Sequence, residues 1–255
     1  MGLTIAQSLL KGRLVRAQGV VGSDPRPGQR ARLRKFKVKP VASNGEVVDK
    51  SDIVFLAVKP QEMEKALKEV ESHWRKGQLI ISIAAGISTQ WIQKRISKKL
   101  PVVRVMPNTP AQVGQGVSVI CGGRFARTGD LTVAQILLSS MGEVLELPEK
   151  SFHGVTAISG SGPAYVFYLM EAMAEAGRKL GLPGSALQQL VLKTVSGSAQ
   201  LAASTGEKPE TLRARVTSKG GTTEAALKVF DQKKVKKGLV RGIRSAAARS
   251  KQLGA

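Results

Sequence analysis

The feature that most constrains this chain is a pair of short apolar runs, residues 52–58 and 79–83, almost unbroken by polar side chains. A strand that is hydrophobic at successive positions has both faces buried, which is the situation of a parallel sheet covered by crossover helices. The surrounding sequence repeats the theme. Residues 19–24 read as a short strand ending in a polar turn, 38–41 as another, 101–106 as a strand stopped by Pro107, and 117–120 as a further one. Between them lie helical patterns: Leu3, Ala6, Leu9 and Leu10 on one face of a helix ending at Gly12, and Met63, Ala66, Leu67 and Val70 at helical spacing. A third helix is expected from a Ser88 or Thr89 cap through about residue 100. The fold class that follows is α/β, with a Rossmann-like, mostly parallel sheet.

The second half changes character, because strand signals fade after about residue 147. Ser161-Gly162-Pro163 opens a long helix that Gly181 ends; residues 187–203 form a second; Thr222 or Thr223 caps another; and residues 235–252 form a basic amphipathic helix. The expected organisation is a dinucleotide-binding domain over residues 1–150 and an all-helical dimerisation and substrate domain over 151–255.

Charge bears on partners. Forty Lys and Arg against eighteen Asp and Glu give a net charge of +22, concentrated in residues 11–39 and 231–255. Such an excess invites a polyanion. Aromatic residues, however, make up only 4% of the chain, and no zinc finger, RNA-recognition signature or basic zipper occurs. The reading is therefore a solvated basic surface on a protein that binds small anions, with no dedicated nucleic-acid partner. One cysteine, Cys121, and two histidines exclude a disulfide framework and a zinc site. No apolar run is long enough to span a bilayer, and the N-terminus has the wrong order for a secretory signal, so a cytoplasmic protein is expected.

Four motifs carry possible chemistry. Ala57-Val58-Lys59-Pro60 falls at the carboxyl end of a buried strand, where open α/β sheets bind ligands. Met106-Pro107-Asn108-Thr109-Pro110 places two polar side chains on a loop stiffened by proline. Ser159-Gly160-Ser161-Gly162-Pro163-Ala164 leads into a helix start whose free N–H groups favour an anion. Val216-Thr217-Ser218-Lys219-Gly220-Gly221-Thr222-Thr223 offers amides, hydroxyls and a cation before another helix, a setting for a small carboxylate. Each also reads as an ordinary turn or cap. His73 is expected at the surface, His153 without a partner, and Cys121 as a small buried residue.

In this order and spacing, with residues 82–86, these motifs closely resemble Δ1-pyrroline-5-carboxylate reductase, the enzyme of the last step in proline biosynthesis, over essentially the whole chain. The resemblance implies reduction of the C=N bond of L-pyrroline-5-carboxylate by hydride from NADPH or NADH. It implies that Ala57, Val58, Lys59, Pro60, Ala84 and Ala85 line the dinucleotide, and that Asn108 lies on the nicotinamide side. Ser23, Arg26 and Asn44 would then lie near the adenosine ribose. The same resemblance assigns the substrate to Val216, Gly220, Gly221, Thr222, Ser159 and Ser161, with Thr223 bonding the imine. It implies a homodimer through the C-terminal helices, in some members assembled into decamers.

Two departures qualify it. Met1-Gly2-Leu3-Thr4-Ile5-Ala6 resembles the residues just after the family's glycine-rich loop, so the first strand and that loop are expected to be missing and NAD(P)H binding to be weak. Lys219 stands where the family has proline. Cofactor choice is open between Asp24, which suits the ribose hydroxyl of NAD, and Ser23 with Arg26, which suit the phosphate of NADP. The alternatives are a related β-hydroxyacid-type dehydrogenase, for which Lys179 is the available helix lysine but sits near the helix end, and a non-enzymatic basic protein that binds nucleic acid.

Overall fold

The computed structural model describes residues 1–253 and divides into two compact units. The first comprises Met1–Ser161 with the chain from Ala246 on; the second is Gly162–Ser245.

In the first unit the elements follow the order α1 (Gly2–Lys11), β1 (Val21–Gly22), α2 (Pro27–Lys35), β2 (Lys39–Pro40), α3 (Asn44–Asp49), β3 (Ile53–Leu56) and α4 (Met63–Glu69). Then come β4 (Leu79–Ser82), α5 (Thr89–Gln93), β5 (Val102–Met106), β6 (Gly116–Gly122), α6 (Thr128–Ser139), β7 (Gly142–Glu146) and α7 (Phe152–Val155). The main sheet has the order β3-β4-β5-β6-β7, parallel except where β6 runs antiparallel to β5. Strands β1 and β2 form a separate parallel pair.

The apolar runs are buried on both faces, and the two-residue period of a strand sorts them between two cores. Ile80 and Val102 pack on one side with Met63, Leu67, Trp74 and Ile92. Ile81 and Val103 pack on the other with Ile5, Leu9, Leu137 and Leu138.

The helix expected to reach residue 100 stops at Gln93. Ile96 and Leu100 are buried all the same, pegged there by turns in which the Arg95 N–H donates to the Ile92 carbonyl and the Leu100 N–H to that of Lys98. Residues 151–161 belong to the first unit: Phe152 is fully buried against Val119 and Cys121.

The second unit contains α8 (Gly162–Lys179), α9 (Gly184–Thr205), α10 (Pro209–Arg215), α11 (Thr222–Gln232) and most of α12 (Val235–Gln252). Gly181 turns the chain between α8 and α9 with φ +76, and a Cβ on Gly177 would lie 2.2 Å from Leu187 Cδ1, so glycine permits the close approach of the two helices. On the single chain this unit leaves Phe167, Tyr168, Leu169, Leu190, Leu192 and Leu201 more than half exposed, an apolar surface of the kind that marks a subunit interface. No described helix is long and apolar enough to cross a membrane.

Candidate active site

The sheet register sets the geometry of the first unit. Leu56, Ser82 and Arg104 are partners across β3, β4 and β5, so three parallel strands end side by side. Their following turns therefore form a row along one edge: Ala57 to Pro60, then Ala84 and Ala85, then Pro107 and Asn108. Ala84 is buried, Ala85 half-buried, and Gly86 turns the backbone at φ +82. The first turn of α1 joins this edge, since a Cβ on Gly2 would come within 3.0 Å of the Ala57 Cβ. A helix start with bare backbone beside the carboxyl ends of parallel strands suits the pyrophosphate of a dinucleotide, whose charge the unpaired N–H groups and the helix dipole favour.

At the end of β1, Asp24 is clamped by Arg26. Its Oδ1 accepts from the Arg26 N–H at 2.9 Å and from Nε at 3.0 Å, and Oδ2 accepts from Nη2 at 3.0 Å. Arg30 Nη1 donates to the Asp24 and Pro25 carbonyls, both at 2.9 Å. The Arg26 guanidinium holds the Asp24 carboxyl below its usual range against the opposing effect of partial burial. The two candidates for the ribose end are thus one ion pair. Ser23 is the residue just before it. Asn44 opens α3, and its amide Nδ2 donates to Glu69 at 2.8 Å while its N–H donates to the same carboxylate at 3.2 Å. The spacing of Asn44 and Glu69 in sequence carries no signal for that pairing.

Asn108 caps a short 3₁₀ turn (Thr109–Val113) without bonding its amides. Its Oδ1 instead accepts from the Val117 N–H at 3.0 Å, and its Nδ2 donates to Ser159 Oγ at 3.3 Å. The segment around Ser159 is not the free helix start its glycines suggest. Thr156–Gly160 forms a π-helical turn following α7, and the Ser161 N–H donates to the Thr156 carbonyl at 2.8 Å. That amide is therefore committed, and the loop-like composition of Ser159-Gly160-Ser161 concealed a helical backbone.

In the second unit, Gly220 adopts φ +73 and α11 begins at Thr222. The cap is Gly221, with no side-chain cap, rather than either threonine. The Gly220 N–H is taken by Glu224 Oε2 at 2.7 Å and that of Gly221 by the Ser218 carbonyl at 3.0 Å. The amides left without a helical acceptor are those of Thr222, Thr223 and Glu224, the first residues of the helix, since the first helical bond runs from the Ala225 N–H to the Gly221 carbonyl. Thr223 is half-buried, and Val216, which ends α10, is 65% exposed. The motif continues in sequence through Glu224 and Ala225 and also reads as a variant capping box; Glu224 is the acid that reaches back to the turn, though its acceptor role toward Gly220 is set by the backbone.

His153 has a partner after all, Ser250 Oγ at 3.1 Å from Nδ1, nearly a hundred residues away in sequence. His73 bonds Asp49 Oδ2 at 2.9 Å across Gly45, whose missing side chain makes room for the ring. Lys179 is exposed and paired with Glu175 at 2.6 Å, as befits a helix-surface lysine rather than a catalytic one.

Comparison with known proteins decides the relationship. The family described as pyrroline-5-carboxylate reductase dimerisation matches residues 149–253, and the one described as NADP oxidoreductase, coenzyme F420-dependent, matches residues 1–86. A pyrroline-5-carboxylate reductase of Pseudomonas aeruginosa is 41% identical over 98% of this chain and 93% of its own length. The chain belongs to the pyrroline-5-carboxylate reductase family. A Synechocystis reductase of that name is 36% identical over 100% of this chain and 95% of the relative. The crystal structure of the Plasmodium falciparum pyrroline carboxylate reductase with NADP bound superimposes with a TM-score of 0.91 at 26% identity, covering 99% of this chain and 94% of that one. The mostly parallel α/β sheet with a C-terminal helical region is the fold of these reductases, and the family's dimerisation match falls on the part of the chain whose helices leave apolar side chains uncovered.

Proposed function

We propose that this chain reduces the C=N bond of L-1-pyrroline-5-carboxylate to L-proline with NADPH, the last step of proline biosynthesis. The observation that carries the reading is the row of turns after β3, β4 and β5, aligned by the register of Leu56, Ser82 and Arg104, in a chain of this family. NADPH, when bound, supplies the hydride. The first turn of α1 and the turns at Ala57 to Pro60 and Ala84 to Ala85 hold the dinucleotide, and Ser23, Arg26 and Asn44 hold its adenosine end. Asn108 acts on the nicotinamide side.

For the substrate, the amides of Thr222 and Thr223 and their hydroxyls offer a carboxylate several donors in one turn. Gly220, Gly221 and Val216 shape that turn, and Ser159 and Ser161 supply hydroxyls of their own. Thr223 holds the ring nitrogen. A cyclic imine is readily protonated, so the residues need supply placement and a favourable field rather than a strong acid.

The working assembly is a homodimer built through the helical unit, with a decamer as a higher form, in the cytoplasm. Residues 1–150 serve as the dinucleotide-binding domain and 151–255 as the dimerisation and substrate domain.

The decisive assay follows NADPH oxidation at 340 nm with pyrroline-5-carboxylate. Turnover in the unmodified chain, falling about a hundredfold in Thr223→Ala, is expected. No turnover, together with a DNA affinity that falls steeply with salt, would replace this reading with the nucleic-acid one.

A further inference from the structure

Asn108 is in an unusual situation for a residue at the cap of a helical turn. Asparagine favours that position because its oxygen can bond the free amides of the turn it caps. Here it makes no such bond. Both ends of its amide are turned to other elements, Oδ1 to the Val117 N–H and Nδ2 to Ser159 Oγ. The orientation of the amide is not arbitrary. A backbone N–H can only donate, so the group facing Val117 must be the oxygen, and the group facing Ser159 must be the NH₂.

That assignment sets the hydroxyl of Ser159. Because Asn108 donates to it, Ser159 Oγ accepts on that side and its own hydrogen points elsewhere. The joint has a second point of contact: the Met106 methyl at the strand end lies over Gly160 of the π turn, 2.2 Å from where a Cβ would stand. Single π turns inside helices are rare, and they occur frequently at functional sites. Here the turn places a half-buried hydroxyl beside the edge formed by the strand ends.

We infer that Asn108 is a positioning residue which, through Nδ2, presents the Ser159 hydroxyl as a hydrogen-bond donor to a carbonyl or carboxylate oxygen of the bound reactants. The inference rests on the reductase reading for the identity of those reactants. Two oxygens have the required chemistry, the carboxylate of the small acid and the carboxamide of the nicotinamide. Asn108→Asp tests the idea directly. It keeps an oxygen for Val117 but turns the group facing Ser159 into an acceptor, so the hydroxyl hydrogen is drawn inward and lost to the ligand. Ser159→Ala removes the hydroxyl itself.

Calorimetric titration of each variant with L-proline, NADPH and 2′,5′-ADP reads the effect without turnover. Both variants are expected to lose about tenfold or more in affinity for the same ligand, L-proline if the acceptor is the carboxylate and NADPH if it is the carboxamide. Affinity for 2′,5′-ADP, which has neither group, should stay within about twofold. The double variant should be no weaker than the worse single one, since both changes remove one interaction. Unchanged binding of L-proline and NADPH in Ser159→Ala would overturn the proposal, as would losses in the double variant that simply add. If Asn108→Asp fails to fold, the Ser159→Ala titrations decide alone. Turnover of the unmodified chain is a separate measurement, so failure of the reductase reading is recognised independently.

Discussion

Arg104 donates to Glu149 at 3.1 Å from the middle of the sheet, with its side chain only 4% exposed and its guanidinium stacked 4.7 Å from the centre of the Phe152 ring. The same carboxylate accepts from the Thr89 N–H and hydroxyl, both at 2.8 Å. One acidic side chain thus ties β5, the start of α5 and the segment leading to α7. Removing it strands a buried guanidinium, which is far more damaging than losing an exposed pair. Glu149→Ala is expected to lower stability by about 2–3 kcal/mol, less than for a fully enclosed pair because Glu149 keeps some contact with water. Urea unfolding followed by circular dichroism measures it, and a midpoint within error of the unmodified protein would show that the clamp contributes little.

None of that clamp was legible in the sequence, whereas the sheet it braces was. Residues 52–58 and 79–83 announce buried parallel strands because they are short, rich in β-branched residues and closed by Pro60 and Gly86, which together favour a strand buried on both faces over a helix. Long-range polar pairs leave no local pattern, so Arg104 with Glu149, Asn44 with Glu69 and His153 with Ser250 became visible only with the fold. Periodicity misled at residues 94–100, where Ile92, Ile96 and Leu100 keep a helical spacing that turns satisfy instead. Composition misled at 156–161, where serine and glycine occupy a π turn. The candidate site was legible as motifs, but not which of its donors were already committed. That depends on Glu224, Ser218 and Thr156, whose roles are set by backbone geometry.

Cys121 lies opposite Arg104 on the neighbouring strand and is 5% exposed. Burial, reinforced by the Glu149 charge, pushes its thiol up to about 12. The thiolate is the reactive form, so the folded protein should be inert to a disulfide reagent at pH 8, with a rate about a hundredfold or more below that in guanidinium. The sign for stability follows. A thiol that holds its proton more tightly in the folded state contributes fully below the unfolded value of 9.0, and that contribution erodes as pH climbs from there toward 12. Cys121→Ala should flatten that alkaline loss, measured by melting temperature between pH 8 and 10.

The Asp24–Arg26 pair predicts how the cofactor is discriminated. Arg26 is largely exposed, so its fork remains within reach of an anion while Asp24 orients it. Arg26→Ala should weaken NADPH binding about tenfold and NADH binding about twofold or less, because only the former brings a second phosphate to that end. Asp24→Ala should shift preference further toward NADPH by removing a like charge. Fluorescence titration with both cofactors checks the pair, and equal losses for the two in Arg26→Ala would place the phosphate elsewhere.

The His153–Ser250 bond joins the last turns of α12 to α7, and its chemistry makes it sensitive to acid. Burial lowers the basicity of His153, and the nearby Arg104 and Lys251 lower it further, while Glu149 opposes them. The ring is therefore neutral at pH 7 in the folded chain. Below pH 6.5 the unfolded chain takes up a proton that the folded chain resists, so stability is complete above that value and declines as pH falls toward the folded value. Melting temperature measured from pH 7.5 to 5.0 should fall, and His153→Gln, which can still bond Ser250 but carries no titrating group, should make the fall shallower. In a chain of this size each 1 kcal/mol corresponds to about 2–4 °C, so the difference is measurable by scanning calorimetry. A slope identical in the two proteins would mean that His153 takes no part in the acid response.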